Sequence, residues 1–360
     1  MQKIKIGKKY IGGNNPVYII AEIGSNFDGN LQRAKHLADL AKSSGADAFK
    51  IQNFSAPEIV SKKGFKGFSI SFQSKWDKPV AEVYKKAEFP RKWVKNLSDY
   101  CESINIDFLS SPYDKEAVDL LEEIDICAYK IGSGEIDNLD FLKYVAKKAK
   151  PIILGCGAST LKEIGKAVSA IRNAGNNKII LLQCVTNYPS PMSDANIKAM
   201  VTIKNKFGAE VGYSDHTIGE DGGGDDPLCG VTVPLGAVSL GAVVIEKHFT
   251  DDNKRTGPDH SFAMDFKNFK KMVDAIRVLE KALGDGRKKV EDSEKETIIV
   301  QRRGIYAKKT IEAGEIISEE KIEFLRPALF LRPSEANKIL GKKTKLKIKA
   351  GEPIKLNDIR

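Results

Sequence analysis

Residues 128–154 read AYKIGSGEIDNLDFLKYVAKKAKPIIL, and this stretch carries the pattern that decides the fold. It begins with a short apolar run, continues through a glycine-containing turn into a segment with helical spacing of apolar residues, and ends in a second apolar run. Short apolar runs bounded by turn residues predict buried strands, and helical spacing between them predicts a crossover helix. The stretch therefore predicts a β-α-β unit whose two strands lie parallel in one sheet.

The same alternation recurs through most of the first 285 residues. We predict eight strands, at Val17–Ile23, Ala48–Ile51, Ile106–Leu109, Ala128–Ile131, Ile152–Leu154, Ile179–Gln183, Glu210–Gly212 and Val243–Glu246. The predicted helices are Leu31–Ser43, Arg91–Ser103, Lys115–Glu123, Leu139–Lys147, Leu161–Asn173 and Phe266–Ala282. Eight β-α units favour an α/β fold with a closed (β/α)8 TIM barrel over residues 1–284. An open dinucleotide-binding sheet is disfavoured because no GxGxxG follows the first strand.

The composition is that of an ordinary globular protein, with 41% hydrophobic, 29% charged and 8% aromatic residues. It excludes a disordered or collagen-like chain. The first ten residues contain no apolar signal-peptide core, and the most apolar stretch, Val231–Ile245, is shorter than the roughly 20 residues that a bilayer requires. The five cysteines include no CxxC pair. We therefore expect a cytoplasmic protein with reduced cysteines that does not enter a membrane.

The C-terminal part of the chain has a different pattern. A charge-rich segment at 285–300 is predicted to be a linker, and residues 301–360 are predicted to form a small separate domain. From about Thr297 onward the chain has short β-like runs, at Ile298–Val300, Gly304–Ala307 and Lys345–Ile348. Residues 301–360 hold 15 Lys and Arg against eight Asp and Glu, so most of the net charge of +10 lies there. The domain lacks the aromatic residues, interleaved with basic ones, that are typical of a nucleic-acid-binding protein. We expect the charge to attract an anionic substrate instead.

Polar or glycine residues follow nearly every predicted strand. In a TIM barrel these strand ends converge on one face, where the chemistry takes place. The polar residues at these ends include Glu22, Lys50, Gln52, Ser110, Ser111, Lys130, Ser133, Thr186, Tyr188, Ser214, Asp215, His216, Glu246, Lys247 and His248. One such residue alone indicates only a solvated loop, but their presence at most of the eight strand ends predicts a catalytic site.

Two pairs of these residues carry the chemistry. His216 and His248 follow adjacent strands and could hold one divalent ion with positions left for substrate oxygen. Two imidazoles with few carboxylates suit Mn²⁺, Co²⁺, Fe²⁺ or Zn²⁺ better than Ca²⁺, so these residues leave the identity of the metal open. Lys50 and Lys130 could form a Schiff base or bind an anion as fixed charges. The Gly-Ser-Gly turn at 132–134 adds donors suited to phosphate and favours anion binding.

Six motifs resemble, in order and spacing, those of the sialic acid synthase family. They are AEIGSNFDG (21–29), DAFKIQ (47–52), AYKIGSGE (128–135), SDHT (214–217), EKHFT (246–250) and GPDH (257–260). RRGIYAKKTIEAGEII (302–317) and FLRP (324–327) resemble that family's C-terminal antifreeze-like (SAF) domain. The resemblance covers essentially the whole chain.

The resemblance implies that phosphoenolpyruvate condenses with the open-chain aldehyde of an N-acetylated hexosamine, which yields a nine-carbon 2-keto sugar acid and phosphate. It is much less specific for the sugar. N-acetylmannosamine, its 6-phosphate and the dideoxy diacetamido precursors of legionaminic or pseudaminic acid share the reacting aldehyde. A metal that polarises the aldehyde oxygen would act as a Lewis acid.

The resemblance also assigns roles by position, with His216 and His248 as the metal ligands. The remaining substrate contacts implied are Lys50, Lys130, Ser133 and Ser214 toward phosphoenolpyruvate, and Glu22, Gln52, Tyr188 and Asp259 toward the sugar. Ser110 and Thr186 are also expected to bind substrate. Glu22 is further predicted to transfer a proton. Arg326 matches an arginine that, in relatives, reaches the substrate's acyl group across a domain-swapped homodimer.

The chain departs from the family pattern at three places. Residues 155–158 read Gly-Cys-Gly-Ala where relatives usually have Ser-Thr-Gly-Met, so a hydroxyl contact is missing unless the loop shifts to bring in Ser159. Thr186 stands where some members have Asn. An insert at Gly219–Pro227 carries Asp221, Asp225 and Asp226, which form either a solvated flap, the reading we favour, or an additional cation site.

Two other functions compete with this prediction. A Schiff-base aldolase would use Lys130 and pyruvate. A sugar- or polyanion-binding protein would have an inactive barrel, but it would have no need for Glu22, Lys50, His216 and His248 together.

Overall fold

The computed structural model describes residues 3–66, 73, 76–219 and 222–360. Two compact units are present, Met1–Asp285 and Gly286–Arg360. The first unit starts with an antiparallel hairpin of β1 (Ile4–Ile6) and β2 (Lys9–Ile11). This hairpin was not predicted, because three-residue strands are too short to show a period of two.

Eight parallel strands then close into a barrel, which confirms the predicted fold class. They are β3 (Tyr18–Glu22), β4 (Ala48–Asn53), β5 (Asp107–Pro112), β6 (Tyr129–Ile131), β7 (Ile152–Gly155), β8 (Ile179–Cys184), β9 (Glu210–Asp215) and β10 (Val244–His248). Each strand pairs with its chain neighbours, and the ring closes where β10 pairs with β3. All eight predicted strands overlap these positions.

Helices pack around the barrel. Their bounds are α1 (Leu31–Ser44), α2 (Ala56–Ile59), α3 (Val80–Ala87), α4 (Arg91–Ser103), α5 (Lys115–Glu123), α6 (Leu139–Ala146), α7 (Leu161–Asn173), α8 (Lys198–Phe207), α9 (Thr232–Ser239) and α10 (Phe266–Leu283). All six predicted helices are present. No helix among the described residues is long and apolar enough to cross a membrane.

Side-chain alternation along the strands creates two cores. Residues that point into the barrel, such as Ile20, Leu109 and Leu182, pack on Ile4 and Ile6 of the hairpin. Alternate residues pack outward against the helices in a second, larger core. Because successive strand residues face opposite sides, the phase of the apolar residues also decides which polar residues at the strand ends face the barrel axis.

The insert at Gly219–Pro227 is only partly the solvated flap that the sequence favoured. Asp225 is exposed, but Asp226 is fully buried. Its carboxylate accepts hydrogen bonds from the backbone N–H groups of Leu228 and Thr232, both at 2.9 Å, and so supplies acceptors near the start of α9. Asp226 is therefore buried, despite the polar composition of the insert, because its carboxylate pairs with backbone N–H groups that would otherwise have no acceptor. Asp221 lies outside the described residues.

The second unit has its own core of isoleucines, including Ile305, Ile317 and Ile339. It contains α11 (Lys295–Gln301) and an antiparallel pair of β11 (Gly304–Ala307) and β12 (Ile322–Leu325). The predicted β-like run at Ile298–Val300 was wrong, because these residues lie inside α11, where Glu296 in the first turn complements the helix dipole. The run at Lys345–Ile348 forms only an isolated bridge, between Ile348 and Ile311.

Candidate active site

One cavity of about 340 Å³ lies at the carboxyl ends of the barrel strands. Strand alternation brings the polar residues to it, since Glu22, Lys50, Lys130, Ser214 and Glu246 have the same phase as the apolar residues of the barrel interior. Of the residues predicted from the sequence, those that line this cavity are Glu22, Lys50, Gln52, Lys130, Ser133, Thr186, Tyr188, Ser214, His216, His248 and Asp259.

Two predicted residues are not among the lining residues. Ser110 has the opposite phase on β5 and does not line the cavity, whereas its neighbour Ser111 does. Lys50 donates a hydrogen bond to Ser111 Oγ at 3.1 Å. The structure therefore places Ser111, and not Ser110, at the cavity. Arg326 belongs to the second unit, where its side chain is exposed.

Glu246 lies between the two lysines at the floor of the cavity. Its Oε1 is 3.3 Å from Lys130 Nζ, and its Oε2 is 3.8 Å from Lys50 Nζ. Ser214 Oγ donates to the same carboxylate at 3.1 Å, and Lys50 also forms an ion pair with Glu22. All of these side chains are buried. Glu246 was expected at a strand end, but no role was predicted for it.

The surroundings shift the pKa values of these groups in different directions. Burial raises the pKa of Glu22, opposed by Lys50 and reinforced by Glu246. Burial also acts to raise the pKa of Glu246, but Lys130 and Lys50 outweigh it and the pKa is lowered. Burial acts to lower the pKa of Lys130, yet Glu246 and other nearby anionic groups raise it overall. Lys130 therefore remains an ammonium group, which suits anion binding and disfavours the neutral amine of a Schiff-base nucleophile.

The two histidine rings lie side by side with their centroids 5.6 Å apart. Nδ1 of His216 is 2.6 Å from the backbone oxygen of Val185, so an N–H there donates and Nε2 keeps a lone pair. Nδ1 of His248 is buried with no hydrogen-bond partner. Tyr188 packs against both rings, with centroid distances of 4.2 and 5.7 Å.

The protonation of these rings fits metal binding. Burial lowers the pKa of His216 to about 4 and that of His248 well below its usual value, so both imidazoles are neutral near pH 7, as metal ligands must be. The orphaned Nδ1 of His248, and Nε2 of His216 with its contact at 3.4 Å to Ser214 Oγ, fit one divalent ion. Within the described part of the chain, no group of three or more His, Cys, Asp or Glu side chains is arranged to hold a metal. Substrate or water oxygens would have to complete the coordination.

Gly155, the last residue of β7, and Gly157 lie so close to neighbouring side chains that a larger residue would collide with them. A Cβ on Gly155 would lie 2.6 Å from Ser133 Oγ, and one on Gly157 would lie 2.1 Å from Thr186 Oγ1. Ser133 Oγ accepts a hydrogen bond from Gly157 N at 3.0 Å. The glycines thus leave the space that Ser133 and Thr186 occupy. Ser159 does not replace the missing hydroxyl, because it donates to the backbone oxygen of Cys156 and does not line this cavity.

The opposite side of the cavity has a different character. Asp259 accepts hydrogen bonds from both N and Oγ of Ser25, at 2.7 Å each, and burial raises its pKa. Aromatic residues that the sequence analysis did not assign, including Tyr84 and Tyr113, complete the lining. Strict counting of the period-two phase would have found Ser111 and Glu246, but nothing in the local sequence places Tyr84.

The family model for the NeuB family matches residues 37–288, which is most of the chain. The chain belongs to the NeuB family. A second model, for the SAF domain, matches residues 302–360 of this NeuB-family chain. Both findings agree with the resemblance seen in the sequence motifs.

Named relatives cover nearly the same length. N,N'-diacetyllegionaminic acid synthase of Campylobacter jejuni is 41% identical over 326 residues, 90% of this chain and 94% of that protein. N-acetylneuraminate-9-phosphate synthase of Mus musculus is 31% identical, over 86% of this chain and 83% of that protein. The N-acetylneuraminic acid synthetase structure from Leptospira borgpetersenii superposes with a TM-score of 0.71 at 34% identity and covers 82% of this chain and 95% of that one. These relatives are synthases, and this NeuB-family chain is an enzyme.

Proposed function

We propose that this enzyme condenses phosphoenolpyruvate with the open-chain aldehyde of an N-acetylated amino sugar in a reaction that depends on a divalent metal. The observation that carries the proposal is the presence, on one cavity, of two buried lysines around Glu246 and two neutral imidazoles 5.6 Å apart. The products would be a nine-carbon 2-keto sugar acid and phosphate. The names of the relatives support this class of reaction.

The lysine side of the cavity suits phosphoenolpyruvate. Lys50 and Lys130 supply two ammonium groups for its carboxylate and phosphate, and Ser133 and Ser214 supply hydroxyls nearby. Fixing the enol in this way converts a bimolecular reaction into a positioned one, which is a large source of rate acceleration. The raised pKa of Lys130 supports this role over the competing Schiff-base role.

His216 and His248 would hold the metal, with Mn²⁺ as the first choice and Mg²⁺ or Co²⁺ as alternatives. A bound ion would supply Lewis acidity toward a carbonyl oxygen. The protein fixes the orientation of the His216 ring, because its Nδ1 is hydrogen-bonded to the backbone oxygen of Val185 and Tyr188 packs against it.

The proposed chemistry balances without any further reactant. C3 of phosphoenolpyruvate bonds to C1 of the aldehyde, and water adds to the cationic C2. The bond from C2 to the phosphate oxygen then breaks, the keto group forms, and phosphate leaves. One proton of the water ends on the new C1 hydroxyl and the other on phosphate. We propose that the buried Glu22 carboxyl carries a proton in this exchange, because its raised pKa lets it both accept and return one.

Three further parts complete the proposal. Gln52, Thr186, Tyr188 and Asp259 would face the sugar. Arg326, from the SAF domain of a partner subunit in a domain-swapped homodimer, would contact its acyl group. The enzyme would work in the cytoplasm, without nucleic acid or membrane as a partner.

A phosphate-release assay tests the proposal. The full chain would be incubated with phosphoenolpyruvate, Mn²⁺ and each sugar of a panel that contains N-acetylmannosamine, its 6-phosphate and a diacetamido-deoxyhexose. We expect sugar-dependent release of phosphate that a chelator abolishes. Absence of release with every sugar, or trapping of a pyruvate adduct by borohydride, would overturn the proposal.

A further inference from the structure

His260 is a fully buried histidine that does not line the cavity. Its Nδ1 is 2.8 Å from Thr250 Oγ1, and its Nε2 is 2.9 Å from Asp28 Oδ1. Thr250 lies in the segment that follows β10, and Asp28 lies in the segment that follows β3. These two strands are neighbours at the point where the barrel closes. The buried ring therefore joins the segments that leave two adjacent strands.

The hydrogen bond between His260 and Asp28 has a defined direction. Burial acts to raise the pKa of Asp28, but hydrogen bonds from His260 and Arg255 outweigh it and the pKa is lowered. An ionised carboxylate only accepts hydrogen bonds, so Nε2 of His260 carries the hydrogen and donates it. Arg255 Nη2 donates to the other oxygen of Asp28 at 2.8 Å. Donors thus hold both oxygens, and hydrogen bonds to a charged group are the stronger kind.

An aspartate, a histidine and a hydroxyl in a row also form the arrangement of a nucleophilic triad. Thr250 would be the nucleophile here, but its side chain is fully buried and does not line the cavity. A nucleophile has to reach the substrate. The three residues therefore act through the two segments that their hydrogen bonds join.

The same two segments meet a second time, at the cavity itself. Asp259, the residue before His260, lines the cavity, and so does Ser25, which precedes Asp28 in the segment after β3. Oδ2 of Asp259 accepts hydrogen bonds from both N and Oγ of Ser25, at 2.7 Å each. The segments approach closely here, because a Cβ on Gly24 would lie 2.4 Å from Asp259 Oδ2. A shift of either segment would therefore move the Asp259 carboxylate in the cavity.

Resting on the proposed function, we infer that His260 is a positioning residue for the sugar side of the cavity. Its hydrogen bond to Asp28 holds the segment after β3 in the place where Ser25 fixes the Asp259 carboxylate. A misplacement of about 1 Å at a reacting group can cost about 100-fold in rate. Lys130, which we assign to phosphoenolpyruvate, lies on β6, outside both segments. Loss of the hydrogen bond should therefore affect the sugar more than phosphoenolpyruvate.

Two variants replace the ring nitrogens one at a time. His260→Gln keeps an amide N–H near the position of Nε2 and can still donate to Asp28. His260→Asn keeps a polar group only near the position of Nδ1, on the side of Thr250. The pair therefore separates the hydrogen bond to Asp28 from the rest of the ring.

The measurement is steady-state phosphate release by the full chain with phosphoenolpyruvate, Mn²⁺ and the sugar of the panel above that the unaltered chain uses best. We expect His260→Asn to raise the KM for the sugar about 10-fold, as loss of a hydrogen bond to a charged group predicts. The KM for phosphoenolpyruvate should change by less than about 2-fold. His260→Gln should keep the KM for the sugar within about 3-fold of that of the unaltered chain. His36→Asn replaces an exposed histidine on α1 and should change neither value.

A role in folding alone would give a different result. Equal rises in both KM values, or equal effects of His260→Asn and His260→Gln, would overturn the inference. An unchanged KM for the sugar in His260→Asn would overturn it as well and leave the proposed function intact. No phosphate release by the unaltered chain with any sugar of the panel would remove both.

Should His260→Asn fail to fold, Asp28→Asn tests the same hydrogen bond from its other end. Asp28 has a φ of +50°, a conformation that asparagine tolerates better than most residues. The amide lacks the charge that strengthens the bond, so the KM for the sugar should rise at least about 3-fold while that for phosphoenolpyruvate stays within about 2-fold. An unchanged KM for the sugar would overturn the inference.

Discussion

Lys247 and Asp215 form a buried ion pair across two neighbouring strands, with Nζ of Lys247 2.6 Å from Oδ2 of Asp215. The two residues are register partners in β10 and β9, and neither lines the cavity. The residues that follow them, His248 and His216, do face it. The pair therefore joins the two strand ends that carry the imidazoles.

Replacing Lys247 by Met should destabilise the fold strongly. Asp215 would be left buried without its cation, and breaking one partner of a buried pair costs about 3–5 kcal/mol. Urea denaturation without metal measures the free energy of unfolding. Lys95→Met breaks an exposed pair with Asp99 and should cost less than about 1 kcal/mol. Similar losses for the two variants would contradict a structural role for Lys247.

His216→Ala and His248→Ala should each reduce phosphate release by about 1000-fold while the circular dichroism spectrum stays unchanged. The proposed metal contributes several kcal/mol to the transition state, and one imidazole alone cannot hold it in place. Mn²⁺ affinity measured by calorimetry should fall in parallel. His36→Ala removes an exposed histidine on α1 and serves as the control. Full activity in either site variant would remove the metal assignment.

The metal-free protein should lose stability as the pH falls below about 6.5. His216 has a pKa of about 4 in the folded state against 6.5 for the free side chain, so the unfolded chain binds more protons between these values. The free energy of unfolding therefore decreases as pH drops through this range, by about 3 kcal/mol for His216 alone. Denaturation at a series of pH values measures the slope. His216→Gln should flatten it and His36→Gln should not; an unchanged slope in His216→Gln would refute the argument.

Gly155→Ala should raise the KM for phosphoenolpyruvate more than that for the sugar. The new methyl group would lie 2.6 Å from Ser133 Oγ and displace a hydroxyl that we assign to phosphate binding. Steady-state kinetics with each substrate varied in turn separates the two effects. Gly165→Ala, whose Cβ would meet only Phe207 at 3.4 Å, is the matched control in α7. A KM for phosphoenolpyruvate equal to that of the unaltered chain would show that Ser133 has room to adjust.

Arg326→Ala should raise the KM for the sugar more than that for phosphoenolpyruvate, because the proposed contact is to the sugar's acyl group. Arg303→Ala removes the same charge from another exposed position of the SAF domain and should change neither value. Equal effects of Arg326→Ala on both KM values would indicate general electrostatic attraction rather than a contact.

The barrel could be predicted from the sequence because each β-α unit carries its own local pattern. Strands of three to six residues, amphipathic helices and glycine turns are set by residues close together in the chain, and the barrel repeats this local pattern eight times. Most of the cavity-lining residues could also be predicted, because each lies just after a strand in its own local motif. The family resemblance added roles to residues that the pattern had already grouped.

The amino-acid pattern was enough to predict the barrel, the second domain and the cavity-lining residues whose strand phase was clear. The folded structure was needed to show that Ser111 rather than Ser110 faces the cavity and that Asp226 is buried. It was also needed to show that closure between β10 and β3 brings Glu246 to the lysines. The physical reason is that these outcomes depend on contacts between residues distant in the chain, and on burial that no local pattern records.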